Sequence, residues 1–307
     1  MKAAIIRDYD TEIEIADIDP PELKDDSVLI AVHAASLNPI DYILQSGVMK
    51  EMIPLEFPHV MGFDVSGEIT EVGKAVTGFK VGDAVFARAN QQDAGAIAQT
   101  ARLKATEMAL KPENISHQEA ASIPLAGLTA WQALISKAKL KSGDKVLIHA
   151  GSGGVGTLAI QIAKHFGAHV ATTCSPRNAD LVRDLGADVV IDYKTEAFDE
   201  VLSDYDIVFD MIGGETLNRS FKVLKQGGTL VSIKGQDTEN LAPEYGVRFE
   251  WFFMEPDGAM LADLGALNKE QVVKPVIDSV YPMNETAKAY EALKDGHAVG
   301  KIVIAVS

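Results

Sequence analysis

The sequence holds a single cysteine, Cys174, in 307 residues. One thiol can neither close a disulfide within the chain nor build a thiolate-rich zinc site. That scarcity fits a reducing compartment, and the expected location is cytoplasmic. Positive charge is scarce as well: 28 Lys and Arg stand against 44 Asp and Glu, a formal net charge of −16. An acidic surface of that size disfavours nucleic acid and anionic membranes as partners. No apolar run approaches the ~18 to 20 residues of a membrane span. The opening MKAAIIRDYDTEIEIADI lacks the apolar core of a signal peptide and alternates as a strand does. His33, His59 and His149 have no partner at a metal-binding spacing, read as satisfied or exposed side chains, and point to no metal site.

What is present is apolar residue in quantity, 47% of the chain, enough for two domains with cores of their own. The first third is β-branched and turn-rich. SVLIAVHAASL, DVSGEITEVG and GKAVTGFKVGDAVFA are short strands punctuated by glycine, the pattern of a small barrel or sandwich. Near Pro112 the pattern changes. Ser116 and Glu119 stand three apart, as in a capping box, before the helix HQEAASIP. From Lys145 apolar runs alternate with amphipathic helices: KVLIHA, GVGTLAIQIAKHFG, HVATTC, NADLVRDLG, ADVVIDY, DIVFDMIG, ETLNRSFKVLKQGG and TLVSIKG. That alternation predicts an α/β domain with a doubly wound parallel sheet. The tail returns to strand, helix, strand, and can rejoin the first domain. The expected boundaries are residues 1–115 with 270–307 for the first domain and 116–269 for the second.

The stretch HAGSGGVGTLAI leaves a buried strand and enters a helix. Gly151-x-Gly153-x-x-Gly156 matches the dinucleotide fingerprint G-x-G-x-x-G in the context that gives it meaning. Backbone N–H groups of Ser152, Gly153, Gly154 and Val155, with the helix dipole behind them, suit a pyrophosphate. NAD enzymes place an acid about 20 residues further on, to bond the ribose 2′-hydroxyl. Here the second strand ends in Ser175-Pro176-Arg177-Asn178, with no acid. Ser175 and Asn178 offer hydrogen bonds, and Arg177 offers a charge-assisted partner for a 2′-phosphate. NADPH is therefore the expected cofactor. Tyr193, ending the third strand in IDY, can stack near the adenine or touch the 2′-phosphate, and Ser232, ending a later strand, lies at the carboxyl edge where cofactors bind.

Taken with this loop, SLNPIDY, FPHVMGFDVSGEI, GDAVFA, IPLAGLTAW and GKIVIAV give a chain that resembles the medium-chain dehydrogenase/reductase superfamily. It is most similar to the zinc-independent branch of quinone oxidoreductases and enone reductases. The resemblance implies a GroES-like β-barrel completed by the C-terminal tail, and a Rossmann domain, with the active cleft between them. It also implies a homodimer joined through the Rossmann sheets. Zinc-dependent relatives carry a cysteine ligand in the segment matching LNPIDY, where Asn38 stands, and His-Glu where Phe63-Asp64 stands. The family's usual G-G-x-Y-A-E-Y run appears as AGAIAQT (Ala94–Thr100), a departure that leaves substrate shape open.

Without a metal, hydride transfer suits acceptors that spread the developing charge: an enone delivers it to an enolate, a quinone to a phenolate. The resemblance places Asn38 and Tyr42 at the cleft. Asn38 can bond the substrate carbonyl through its amide, and Tyr42 can donate to the enolate; Asp41 between them orients the loop or ends a turn. The resemblance puts Thr129 beside the nicotinamide. Lys301, in the GK pair, either reaches the phosphates or is a solvated surface lysine. The expected activity is NADPH-dependent reduction of a small-molecule quinone or α,β-unsaturated carbonyl. A non-catalytic NADPH-binding sensor or scaffold is the alternative, and a zinc alcohol dehydrogenase with unusual ligands is a third.

Overall fold

KVLI, HVATTC and YDIVFD each carry consecutive apolar residues, as strands covered on both faces do. In a computed structural model, which describes residues 1–89 and 95–307, they form the strands Lys145–Ile148, His169–Cys174 and Tyr205–Asp210, buried along almost their whole length. Ala94, which opens the AGAIAQT stretch, lies outside the described residues. Among these residues no helix is long and apolar enough to cross a membrane. The chain divides into two units: Met1–Leu128 with Pro256–Gln271 and Pro275–Ser307, and Thr129–Glu255 with Val272–Lys274.

The second unit is built on six parallel strands. Their order is Val189–Asp192, His169–Cys174, Lys145–Ile148, Tyr205–Asp210, Leu224–Ser232 and Arg248–Trp251. The order reverses beside Lys145–Ile148, the first strand in sequence, which creates a switch point at its carboxyl end. One expected helix is shorter than the sequence pattern suggested. ETLNRSFKVLKQGG is helical over Gly214–Ser220, turns through Phe221–Val223 and is already strand from Leu224. Leu224 pairs with Tyr205 in the sheet, and that pairing overrides the helical preference of Leu-Lys-Gln.

The first unit is dominated by antiparallel pairing. Its main sheet runs Ile277–Pro282, Lys301–Ala305, Ser27–Ser36, Asp64–Val72, Ala84–Arg88, Met108–Leu110, with Thr100–Lys104 added to Ser27–Ser36. Ser27–Ser36 organises it. One edge pairs with Asp64–Val72 along its length. The other pairs first with Thr100–Lys104 and then with Lys301–Ala305. Ile30, Val32, Val65, Ile302 and Ile304 from these strands, with Leu37 and Phe63 at their ends, form one core with Tyr290. A second, three-stranded sheet holds Lys2–Ile6 between Glu14–Asp17 and His59–Val60. Helix Gly258–Lys269 packs on Met108–Leu110 so closely that a Cβ on Gly258 would stand 2.6 Å from Met108 O. This contact assigns 256–271 to the first unit rather than to the strands that precede it.

The capping box forms as expected. Glu119 Oε2 accepts from the Ser116 N–H at 2.8 Å and Ser116 Oγ accepts from the Glu119 N–H at 3.2 Å. Ser116→Ala is expected to lower stability by about 1 kcal/mol, read as a shift of the denaturant midpoint with unchanged slope.

Candidate active site

The glycine loop of the second unit is shaped from beneath by Thr172 and Thr173. Ala150, in the left-handed region at φ 52°, donates its N–H to Thr173 Oγ1 at 3.1 Å, and the Gly151 N–H donates to Thr173 O at 2.9 Å. A Cβ on Gly151 would stand 2.0 Å from Thr172 Oγ1, and one on Gly156 2.4 Å from Ala150 O. These two glycines let helix Gly154–His165 lie directly against the end of the strand. Gly153 is different. A Cβ there would meet nothing nearer than Ala150 O at 3.4 Å, so no protein atom requires the glycine. Gly153 is the N-cap, and the first-turn N–H groups that follow have no acceptor within the helix. An open face of unpaired N–H groups at a helix N-terminus fits a phosphate anion.

The histidine beneath this loop serves the protein interior. Ser220 donates its hydroxyl hydrogen to Thr216 O at 2.7 Å, so its oxygen accepts from His149 Nε2 at 2.9 Å. Nδ1 then accepts from Thr173 Oγ1 at 3.2 Å. Burial pushes His149 down to about 4, against the pull of Asp210 and with that of Arg219, and keeps the ring neutral. His165 and His169 have a spacing that can bind metal on one helix, but His165 ends the helix while His169 opens the next strand, with a turn at Gly167 between. Among the described residues no three His, Cys, Asp or Glu side chains form a metal-binding group.

Of the residues expected to hold the adenosine end, the structure joins two directly: Asn178 Nδ2 donates to Ser152 Oγ at 2.9 Å. Ser175 and Arg177 lie on the same turn, half-buried and exposed respectively. Asp192 ends the neighbouring third strand and is tied into its own turn through the Lys194 N–H and Thr195 Oγ1. Tyr193 beside it is 59% exposed. Ser232 is fully buried: its hydroxyl donates to Asp210 at 2.7 Å and accepts from the N–H groups of Lys234 and Gly235. It shapes the turn at the strand's carboxyl end. Thr129 is buried on helix Pro124–Trp131.

In the first unit Asn38, Asp64 and Lys301 converge. Asn38 precedes helix Pro39–Gln45, Asp64 opens its strand, and Lys301 opens the strand near the chain's end. Asp64 Oδ2 accepts from Asn38 Nδ2 at 3.0 Å, Lys301 Nζ at 3.2 Å and Ser36 Oγ at 3.2 Å, while Oδ1 accepts from the Leu125 N–H at 2.8 Å. Lys301, expected near the phosphates, is placed inside this unit: its ammonium also donates to Leu37 O at 2.8 Å and Asn38 Oδ1 at 2.5 Å. Sequence reasoning saw Asp64 only as the replacement for a glutamate. Its role as the hub was visible in no single motif, because its donors come from three separate segments: Ser36 with Asn38, Leu125, and Lys301. Tyr42 is half-buried on the same short helix and packs against the core. Asp41 is buried; Oδ2 accepts from the Asn38 N–H at 2.6 Å, while Oδ1 finds no hydrogen-bond partner. Burial drives its pKa up to about 7, opposed by the Asn38 N–H and Lys301, reinforced by Asp64, and opposed again by Arg88.

A parallel sheet with this loop at its switch point, carried on a chain whose other unit is an antiparallel GroES-like fold, defines the two-domain dinucleotide-binding dehydrogenases. Comparison with known proteins places the chain within that class. Residues 24–121 match the alcohol dehydrogenase GroES-like domain family, and residues 185–304 match a family described as zinc-binding dehydrogenase. An NADPH-dependent alkenal/one oxidoreductase of Arabidopsis thaliana is 38% identical over 99% of this chain and 79% of its own. A quinone oxidoreductase from Coxiella burnetii superposes with a TM-score of 0.91 at 35% identity, covering 100% of this chain and 99% of its own. A mycobacterial structure complexed with NADPH superposes with a TM-score of 0.89 at 29% identity, covering both chains fully. The chain belongs to the medium-chain dehydrogenase/reductase superfamily, in its zinc-independent quinone and enone reductase branch, and is an oxidoreductase.

Proposed function

We propose that the protein is an NADPH-dependent reductase that directs hydride to a quinone or to the β-carbon of an α,β-unsaturated carbonyl. The observation that carries the coenzyme choice is the acid-free turn after strand His169–Cys174, with Asn178 bonded to Ser152 of the glycine loop and Arg177 on the surface beside them. The N–H groups of Ser152, Gly154 and Val155 would hold the diphosphate, with Gly153, whose own N–H donates to Ala150 O at 3.0 Å, leaving room for it, and Ser175 and Arg177 would hold the 2′-phosphate. Bound there, the coenzyme supplies a hydride. A relative named NADPH-dependent alkenal/one oxidoreductase, another named quinone-oxidoreductase homolog, and the mycobacterial structure complexed with NADPH support the same reading.

The first unit supplies donors for the charge that forms on the substrate. An enolate or phenolate oxygen needs only ordinary hydrogen bonds. Asn38 Nδ2 uses one hydrogen on Asp64, and its second has no acceptor among the described residues. The Tyr42 hydroxyl is the second candidate donor, and water can deliver the proton equally well.

The test is purified protein with NADPH or NADH and a panel of quinones and enones, read as loss of nicotinamide absorbance. NADPH is expected to be consumed with at least one acceptor, and NADH poorly. Arg177→Ala is expected to weaken NADPH about 10- to 30-fold, the loss of one charge-assisted bond of ~1.5 to 2 kcal/mol, and to leave NADH unchanged. Equal affinity of the wild-type protein for the two coenzymes would overturn the assignment. Tight NADPH binding with no turnover on any acceptor would favour a sensor or scaffold instead.

A further inference from the structure

We infer that the buried Asp64–Lys301 ion pair is a positioning device that locks the Asn38 side-chain amide in a single orientation, so that one amide hydrogen is held ready for the substrate oxygen. This rests on the reading of Asn38 as the partner of the substrate carbonyl.

An amide side chain presents two nearly isosteric ends, and an unconstrained asparagine can turn either one toward a ligand. Here both ends meet groups that tolerate only one. The Lys301 ammonium carries three donors and no acceptor, so the atom 2.5 Å from it is the carbonyl oxygen Oδ1. The Asp64 carboxylate accepts only, so the atom 3.0 Å from its Oδ2 is the nitrogen Nδ2. A flipped amide would set N–H against ammonium and oxygen against carboxylate, two repulsions in a buried site. Asn38 is 3% exposed, Lys301 5% and Asp64 fully buried, so solvent screens the choice weakly. The ion pair is closed on itself at 3.2 Å, which makes a three-membered ring of Asn38, Asp64 and Lys301.

The pair also sharpens the donor. Lys301 withdraws density from Oδ1, and hydrogen bonds that share an amide reinforce one another in a low dielectric. The second Nδ2 hydrogen is therefore a better donor than that of a solvated asparagine. Lys301 itself is an orienter and no proton source: its donors end on Leu37 O, Asn38 Oδ1 and Asp64 Oδ2. This also separates the inference from a role for Lys301 on the coenzyme phosphates, which would require an ammonium turned away from all three acceptors.

The experiment is a mutant cycle on the full chain. Wild type, Asn38→Ala, the neutral double variant Lys301→Met with Asp64→Asn, and the triple variant are compared for kcat, for KM of an accepted enone and for the Kd of NADPH. The double variant removes both buried charges together, so that neither is stranded. Its kcat is expected to fall about 10- to 100-fold, less than the roughly 100- to 1,000-fold of losing an oxyanion donor outright, with the NADPH Kd unchanged. The triple variant is expected to be no slower than Asn38→Ala alone, because the pair acts through that amide. Wild-type kcat in the double variant would overturn the inference. So would a triple variant whose loss is the product of the two separate losses, or a raised NADPH Kd with kcat intact. Should the double variant fail to fold, Lys301→Arg serves: it keeps the charge, but a planar fork cannot converge on three acceptors around one nitrogen, and undiminished kcat there overturns the inference equally. A wild-type protein with no activity, or an Asn38→Ala variant as fast as wild type, would sink the functional reading along with it. Activity that depends on Asn38 but ignores the double variant would sink the positioning role alone.

Discussion

Gly153→Asp is expected to abolish useful coenzyme binding, raising the NADPH Kd about a thousandfold, equivalent to ~4 kcal/mol. The added carboxylate would enter the open face of the loop, where the diphosphate is proposed to lie, and like charges brought together in a site cost several kcal/mol. The fold should survive, because a Cβ at this position meets nothing nearer than 3.4 Å. Gly156→Ala gives the contrasting result. Its Cβ would stand 2.4 Å from Ala150 O and 2.7 Å from Gly151 Cα, so the helix must move off the loop. That overpacking costs roughly 1 to 3 kcal/mol of stability and weakens binding only as a consequence. Titrating coenzyme fluorescence against each variant, alongside thermal melts, separates the two. A Gly153→Asp protein that binds NADPH as the parent does would remove the loop from the coenzyme site.

Asp41→Asn should make the protein more stable at high pH and change the slope of stability with pH. Asp41 has a folded pKa of about 7, raised chiefly by burial, whereas an unfolded aspartate titrates near 3.9. Between those values the unfolded chain releases a proton that the folded chain retains. The folded state is therefore favoured most at low pH and loses that advantage as pH rises toward 7. From pH 5 to pH 8 the loss from this one group is about 3 kcal/mol. Asparagine mimics the protonated acid, and its carbonyl can still accept the Asn38 N–H. Urea unfolding at the two pH values should show the variant gaining about 3 kcal/mol on the parent between them. A constant difference would mean that Asp41 is ionised in the folded protein. Tyr290, whose buried hydroxyl also lacks a hydrogen-bond partner, feels the same carboxyl group, and both burial and that charge hold its own pKa well above the usual tyrosine value.

The second unit was the more legible in the sequence. Its strands are apolar at successive positions because both faces are covered, and its glycine fingerprint is local, with every member within six residues. Local signals of that kind survive in one dimension. Strand Arg248–Trp251 and helix Gly258–Lys269 left little trace. The strand is only half-buried at the sheet edge, and the helix, although it buries Leu261, Leu264 and Leu267, meets strand Met108–Leu110 through Gly258, a residue that marks no face in the sequence. In the candidate site Asn38 and Tyr42 were reached by resemblance, while the ring that holds Asn38 was not. Lys301 reads as an ordinary surface lysine in GKIVIAV, and nothing near it in sequence announces a buried carboxylate 237 residues away.

That separation also bears on how the chain assembles as it is made. Asp64 emerges from the ribosome 237 residues ahead of the lysine that neutralises it. At about 5 to 20 residues per second the interval is roughly 10 to 50 s. During that time the nascent amino-terminal half must keep Asp64 hydrated, and strand Ser27–Ser36 lacks one of its neighbours. The coenzyme-binding fold, nearly continuous in sequence, can close first. Completion of the other half then awaits the late arrival of a single cation.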